Sequence, residues 1–128
     1  MVEQNINQDW KEEITPKTAT LKIQDGEKAV FVFSDEGVKK EHADYGKSIA
    51  FICKVIEMNK IVEGNLFVIA PKEDEAVKTF YVKANNFDLL GQIKELAKVN
   101  SNSLIGLKVE ISRKGKLRSD TRYTIKKV

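Results

Sequence analysis

The sequence has few of the side chains that metal sites and disulfides need, with one cysteine and one histidine in 128 residues. A lone Cys53 cannot form an internal disulfide, and one Cys plus one His fall short of the four ligands of a structural zinc site. The longest apolar runs have five residues, whereas a membrane-spanning helix needs roughly 20. No signal peptide is visible at the N-terminus. These absences predict a cytoplasmic protein without metal, cofactor or membrane partner.

Motifs for catalysis are scarce as well. No glycine-rich loop has the spacing of a phosphate-binding P-loop. His42 has Glu41 and Asp44 close by in a charged stretch, where a solvated loop histidine is expected. The adjacent acids Asp35 and Glu36 are expected to lie in a solvated turn. The sequence therefore predicts no enzymatic activity.

Charge is unevenly distributed along the chain, although the net charge is only +3. Residues 104–128 hold eight basic and two acidic residues, so this segment carries +6 while the rest of the chain carries −3. Every arginine lies in it: Arg113, Arg118 and Arg122. Arginine suits planar phosphate and base recognition. A concentration of like charge in one segment indicates a polyanionic partner.

Alternating apolar and polar residues predict six strands, at 28–34, 47–58, 65–70, 78–83, 107–113 and 121–127. Residues 1–20 are expected to form a flexible arm that Trp10 anchors, and residues 35–46 a charged loop. Asn86 is expected to cap a helix. The apolar stripe of that helix consists of Leu89, Ile93, Leu96 and Ala97.

The order of these elements predicts an all-β fold with one helix. A helix before the last two strands matches the OB-fold, a five-stranded Greek-key barrel that binds ligands on strands 2 and 3 and in two loops. Residues 21–128 would form this domain. Strands 65–70 and 78–83 supply one strand too many, which we interpret as a hairpin extension of barrel strands 2 and 3.

Four stretches of sequence resemble OB-fold single-stranded-DNA-binding proteins of archaea, their viruses and phages. They are residues 25–33 (DGEKAVFVF), 45–49 (YGKSI), 106–115 (GLKVEISRKG) and 121–125 (TRYTI). The closing pair is the more specific, and the resemblance covers about residues 20–128. The chain ends in Lys126-Lys127-Val128 and departs here from bacterial members, which end in an acidic tail that recruits partners.

Single-strand binding requires cations for the phosphates and aromatic rings for the bases. The predicted binding residues are Tyr45, Lys47, Lys54, Tyr81, Lys83, Arg113, Lys114, Lys116, Arg118 and Arg122. Tyr81 is the leading stacking candidate, with an interface tyrosine as the alternative, and Tyr45 is the second. Alternation places Phe31, Phe33 and Phe51 in the core and favours the core for Tyr123. Phe87 is expected to plug the start of the helix.

The sequence thus predicts a non-catalytic protein that binds single-stranded DNA with little sequence specificity. Its expected setting is DNA replication, recombination or repair, with proteins of those processes as further partners. Two alternatives stay open: an RNA-binding OB domain, and a structural subunit whose barrel mediates protein assembly. No residue pattern distinguishes DNA from RNA.

Overall fold

The computed structural model describes residues 19–43, 46–117 and 121–128. Within these ranges it contains one mixed sheet of eight strands and one α-helix. The elements are β1 Ala19–Thr20, β2 Lys28–Phe33, β3 Val38–His42, β4 Gly46–Val62, β5 Asn65–Ile69, β6 Val77–Lys83, α1 Phe87–Val99, β7 Lys108–Lys114 and β8 Arg122–Lys127. The predicted class, all-β with one helix, is confirmed.

The 17-residue strand β4 organises the sheet. Strands β2 and β3 pair with one edge of β4, and β5 and β6 pair with the other edge. The main path through the sheet is β1-β6-β4-β2-β7-β8. The pair β1–β6 is parallel and the other pairs are antiparallel. The helix lies between β6 and β7 in the order of the chain.

Four phenylalanines form the centre of the core. The ring centroids of Phe31 and Phe33 are 5.0 Å apart, those of Phe33 and Phe51 are 5.6 Å apart, and those of Phe31 and Phe80 are 5.9 Å apart. All four side chains are buried. Edge-to-face and tilted contacts at these distances are favourable. The predicted core positions of Phe31, Phe33 and Phe51 are therefore confirmed.

Helix α1 begins and packs as its sequence predicts. The side chain of Asn86 accepts a hydrogen bond from the backbone N–H of Leu89 at 3.2 Å, which satisfies one of the free donors of the first turn. Leu89 and Ile93 are buried against the sheet. Among the residues described, no helix is both long and apolar enough to cross a membrane.

A glutamine of α1 completes the hydrogen bonding of β8. The Gln92 Nε2 donates to the carbonyl of Tyr123 at 2.9 Å, and the N–H of Ile125 donates to Gln92 Oε1 at 3.0 Å. These two bonds reproduce those that a neighbouring strand would make. The side-chain amide thus serves as the partner of β8 on the edge that β7 leaves free.

Three boundary predictions are wrong. The predicted loop 35–46 contains β3. Because β3 has consecutive charged residues, it lacks the alternation of apolar and polar residues by which strands were predicted. Gly37 makes the turn into it at φ +91°, where a Cβ would lie 2.6 Å from a ring carbon of Phe51. Residues 59–64, which separate the predicted strands 47–58 and 65–70, were expected to link them. Instead β4 continues to Val62, so that only Glu63 and Gly64 form the turn. The last residues of the predicted arm form β1; the rest of the arm, including Trp10, lies outside the described residues.

Asp35 and Glu36 lie in a turn, as predicted, and Glu36 is exposed, but both carboxylates also make hydrogen bonds that the sequence did not predict. Asp35 Oδ1 accepts from the N–H of Ile52 at 3.0 Å. Glu36 Oε1 accepts from the Ser103 hydroxyl at 2.8 Å and from the N–H of Leu104 at 2.6 Å. These bonds, the Ser103 bond foremost, lower the pKa of Glu36. The two carboxylates therefore fasten the β2–β3 turn to β4 and to the segment before β7.

Glu27 is a second structural carboxylate, and it is only 2% exposed. Its Oε1 accepts from the N–H of Gln24 at 2.8 Å and from Lys60 Nζ at 3.2 Å, and its Oε2 accepts from the N–H of Ile61 at 2.8 Å. Burial acts to raise the pKa of Glu27. The backbone N–H donors and the Lys60 ammonium outweigh that effect and lower the pKa below its ordinary value of 4.5.

We expect Glu27 to make the fold sensitive to acid. Because the folded pKa is lowered, the unfolded chain takes up the proton first, so this carboxylate stabilises the fold above about pH 4.5. That contribution is lost as the pH falls through the folded pKa. Urea unfolding between pH 6 and pH 3 should show a flatter pH dependence for Glu27→Gln than for wild type. The control Glu75→Gln removes an exposed carboxylate; equal slopes for both variants would contradict the assignment.

Candidate nucleic-acid interface

A cleft of about 770 Å³ opens between β6 and the β7–β8 hairpin. These two parts of the sheet do not pair with each other within the described ranges. The floor of the cleft consists of Phe80, Val82 and Leu89, which belong to the core. Its polar and aromatic lining comprises Tyr81, Lys83, Asn85, Asn86, Arg113, Lys116, Thr121 and Tyr123. Four of the ten predicted binding residues meet here, namely Tyr81, Lys83, Arg113 and Lys116.

The lining is cationic. Lys83, Arg113 and Lys116 contribute three positive charges, and no acidic residue is among the described residues that line the cleft. The whole chain has 22 basic and 19 acidic residues, so a mixed lining would be the ordinary result. A cleft lined by one sign of charge concentrates field lines and attracts a ligand of the opposite sign.

Tyr81 projects from β6 on the face opposite the core. Its neighbours Phe80 and Val82 are buried, while Tyr81 is 50% exposed. Ala50 lies directly opposite Tyr81 on β4 and is too small to cover the ring. The ring is therefore accessible to a planar ligand, as the stacking prediction requires.

The backbone of Tyr81 also faces the opening. The N–H of Leu21 donates to the carbonyl of Thr79 at 2.8 Å, on the side of β6 away from β4, and the N–H of Ala84 donates to Lys47 on the side toward β4. Because backbone groups alternate between the two edges of a strand, Tyr81 directs its N–H and C=O away from β4. The cleft thus offers backbone donors and acceptors beside the ring.

Arg113 lies within β7, in agreement with the predicted strand 107–113, and is half-buried. Its Nη1 donates to the carbonyl of Ile23 at 2.9 Å. Its Cζ lies 5.9 Å from the centroid of the Tyr123 ring, a cation–π distance. The Nε of Arg113 is buried with no hydrogen-bond partner in the described part of the chain. Arg113 therefore holds the segment before β2 against the hairpin as well as lining the cleft.

The other predicted binding residues are dispersed. Lys114 and Arg122 lie opposite each other on the β7–β8 pair and do not line the cleft. Lys54 shares the outer face of the sheet with Tyr81, at the far end of the β4–β6 pair. Lys47 alternates onto the other face of β4. Tyr45 and Arg118 lie outside the described residues.

Two aromatic residues were assigned incompletely from the sequence. Phe87 is 78% exposed, so the prediction that it plugs the helix start is wrong; the first turn of α1 points this side chain outward. Tyr123 packs partly against the core, as predicted, but also lines the cleft. The alternation along β8 assigns each side chain either to the core face or to the solvent face. It cannot show that the sheet opens beside Tyr123.

Sequence reasoning missed the two amides at the mouth of the cleft, Asn85 and Asn86. The only sequence signal was the helix-capping pattern at Asn86, which explains that residue by itself. The described residues contain no group of three or more His, Cys, Asp or Glu side chains that could hold a metal ion. Comparison of the chain with protein-family models, curated proteins and solved structures found no match.

Proposed function

We propose that the protein binds single-stranded DNA, without catalysis and with little sequence specificity, through the cleft between β6 and the β7–β8 hairpin. The observation that carries this proposal is the lining of the cleft, which has three cations, an accessible tyrosine ring and no described carboxylate. Single-strand binders combine these two elements, a cationic groove for the backbone and rings for the bases. Replication, recombination and repair are the processes that need such a protein.

The connectivity supports an OB-fold as the scaffold. Strand β2 pairs with both β4 and β7, β4 pairs with β6, and β7 pairs with β8. Together with the helix between β6 and β7, these pairings are compatible with a five-stranded, partly open Greek-key barrel. Strands β3 and β5 then extend the first and third barrel strands along the long β4. The proposed site corresponds to the face of barrel strands 2 and 3 together with the loop between strands 4 and 5.

Each class of lining residue has a role in this proposal. Lys83 and Lys116 contact phosphates from opposite walls of the cleft. Tyr81 stacks on a base, and its backbone N–H donates to a phosphate oxygen, a contact that reads no sequence. Because every base has a π-face, a site built in this way tolerates any sequence.

We expect titration of a fluorescently labelled oligothymidine to show binding that weakens steeply with salt. Each phosphate contact should contribute about −0.7 to the slope of log K against log salt. A flat salt dependence, or no binding at low salt, would contradict the proposal. Unlabelled DNA and RNA of the same sequence serve as competitors. Stronger competition by RNA would favour the RNA-binding alternative, and duplex DNA tests the preference for single strands.

A further inference from the structure

A second surface lies at the far end of β4, on the β4–β5 hairpin. All five residues of β5 are exposed, and its four large apolar side chains, Leu66, Phe67, Val68 and Ile69, are 45–64% exposed. The only charged residue in 61–70 is Glu63. Alternate side chains of a strand lie on opposite faces, so β5 exposes two large apolar side chains on each face. Clusters of exposed apolar side chains often mark an interaction site.

The outer edge of β5 is also open. Glu63 and Gly64 form the two-residue turn with φ of 52° and 80°, the conformation of a type I′ hairpin. In such a hairpin the flanking residues Val62 and Asn65 form a hydrogen-bonded pair, and alternate pairs follow. Leu66 and Val68 therefore direct their N–H and C=O groups away from β4. No strand in the described part of the chain pairs with this edge.

The other short strand on β4 shows what a protected edge looks like in this protein. Strand β3 has Lys39, Lys40 and Glu41 among its five residues. Charged residues, prolines and bulges are the devices that prevent edge strands from pairing with other chains. Strand β5 has none of these devices.

We propose that β5 pairs with β5 of a second copy of this chain, antiparallel, about a two-fold axis through Phe67. In this register Leu66 of one copy faces Val68 of the other, so all outward backbone groups of both residues form hydrogen bonds. Phe67 faces its own counterpart in the close, non-hydrogen-bonded pair. Alternative registers centred on Leu66 or Val68 place part of each strand opposite turn or loop residues and form fewer bonds.

A second copy fits this surface better than other partners do. Strand β5 carries no charge, so two copies meet without the like-charge repulsion that opposes self-pairing. The same property disfavours a nucleic acid, because residues 61–70 contain no cation to neutralise phosphates. Two-fold dimers, in which one patch meets itself, are the commonest form of self-association.

The dimer would leave the proposed DNA site free. Phe67 pairs with Lys60, whereas Tyr81 pairs with Ala50, so the two positions are ten residues apart along β4, on the order of 30 Å in an extended strand. A single two-stranded ribbon buries an area at the low end of biological interfaces. We therefore expect a dimer that dissociates on dilution.

Sedimentation equilibrium of the full chain tests the proposal. The mass should rise with concentration from 14.5 kDa toward twice that value. Phe67→Glu and Phe67→Lys should each stay monomeric, because like charges then face each other on the axis. An equimolar mixture of the two variants should dimerise again, since opposite charges meet. Such recovery would also show that neither substitution unfolds the β4–β5 hairpin. Phe87→Glu, which changes a more exposed phenylalanine on α1, should dimerise like wild type.

Cross-linking tests the register. Phe67→Cys should form an intermolecular disulfide on oxidation, because facing residues of a non-hydrogen-bonded pair have Cα atoms about 4.5 Å apart. Leu66→Cys should not, because Leu66 faces Val68 of the partner. Cys53 will not interfere, since it is fully buried and burial, foremost, raises the pKa of its thiol to about 12.

Three results would overturn self-pairing through β5. They are a monomeric wild type at the highest concentration reached, a dimer that survives both charged variants, and efficient cross-linking of Leu66→Cys but not of Phe67→Cys. A monomeric wild type whose DNA affinity falls in Phe67→Glu and not in Phe87→Glu would assign the hairpin to nucleic-acid binding instead.

Discussion

Replacing Lys83 and Lys116 by glutamine should weaken single-stranded DNA binding about tenfold or more at physiological salt. The two lysines come from opposite walls of the cleft, and their phosphate contacts release counterions. Losing both should make the salt slope shallower by about 1.4, at about 0.7 for each contact. Folding should be unaffected, because both side chains are exposed. Fluorescence anisotropy measures the affinity, and circular dichroism checks the fold.

Arg113 is left intact in this variant because its bond to the Ile23 carbonyl gives it a role in the fold. The matched control is Lys72→Gln with Lys94→Gln, which removes the same charge from exposed positions that do not line the cleft. If both double variants lose affinity equally, net charge alone drives binding. If neither loses affinity, the binding site lies elsewhere and the assembly alternative becomes the better interpretation.

Replacing Tyr81 by alanine should weaken binding by about 1–3 kcal/mol, the value of one base–aromatic stack. That is roughly 5- to 150-fold in the dissociation constant. The melting temperature should change little, because the side chain is half-exposed and stands opposite only Ala50. The salt slope should stay as in wild type, since stacking releases no counterions. This combination distinguishes a lost stack from a lost phosphate contact.

Tyr81→Phe and Phe87→Ala are the controls for that experiment. The first keeps the ring without the hydroxyl, so it should bind nearly as wild type does. The second removes an exposed ring outside the cleft and should have no effect. A Tyr81→Ala protein that melts much earlier, yet binds normally when folded, would show that Tyr81 serves packing.

Much of the fold could be predicted from the sequence, because burial of one face places apolar residues at every second position of a strand and along one stripe of a helix. The core positions of Phe31 and Phe33 and the cap at Asn86 follow from these patterns alone. Strand β3 could not be predicted in this way. It is an edge strand with charged residues, so no alternation marks it, and its position depends on Gly37 and on pairing with the start of β4.

The chemical types of the site residues could be predicted from the sequence, whereas their positions in space could be predicted only in part. The basic segment and Tyr81 identified chemistry that the structure brings together in one cleft. The cleft itself depends on two strands that do not pair, and no local pattern shows a missing pair. For the same reason the sequence could not show that Arg113 turns inward to Ile23 while Lys116 stays at the cleft. The hydrogen bonds of Asp35 and Glu36 could not be predicted because their partners, Ile52 and Ser103, are distant in the chain.

Position 92 tolerates fewer residue types than its place on a helix surface suggests. Gln92 donates a hydrogen bond to the carbonyl of Tyr123 and accepts one from the N–H of Ile125, so the position needs a donor and an acceptor side by side. Glutamate lacks the donor at neutral pH, lysine lacks the acceptor, and leucine lacks both. Among natural relatives or designed variants of this chain, we therefore expect an amide at this position wherever the end of β8 stays ordered.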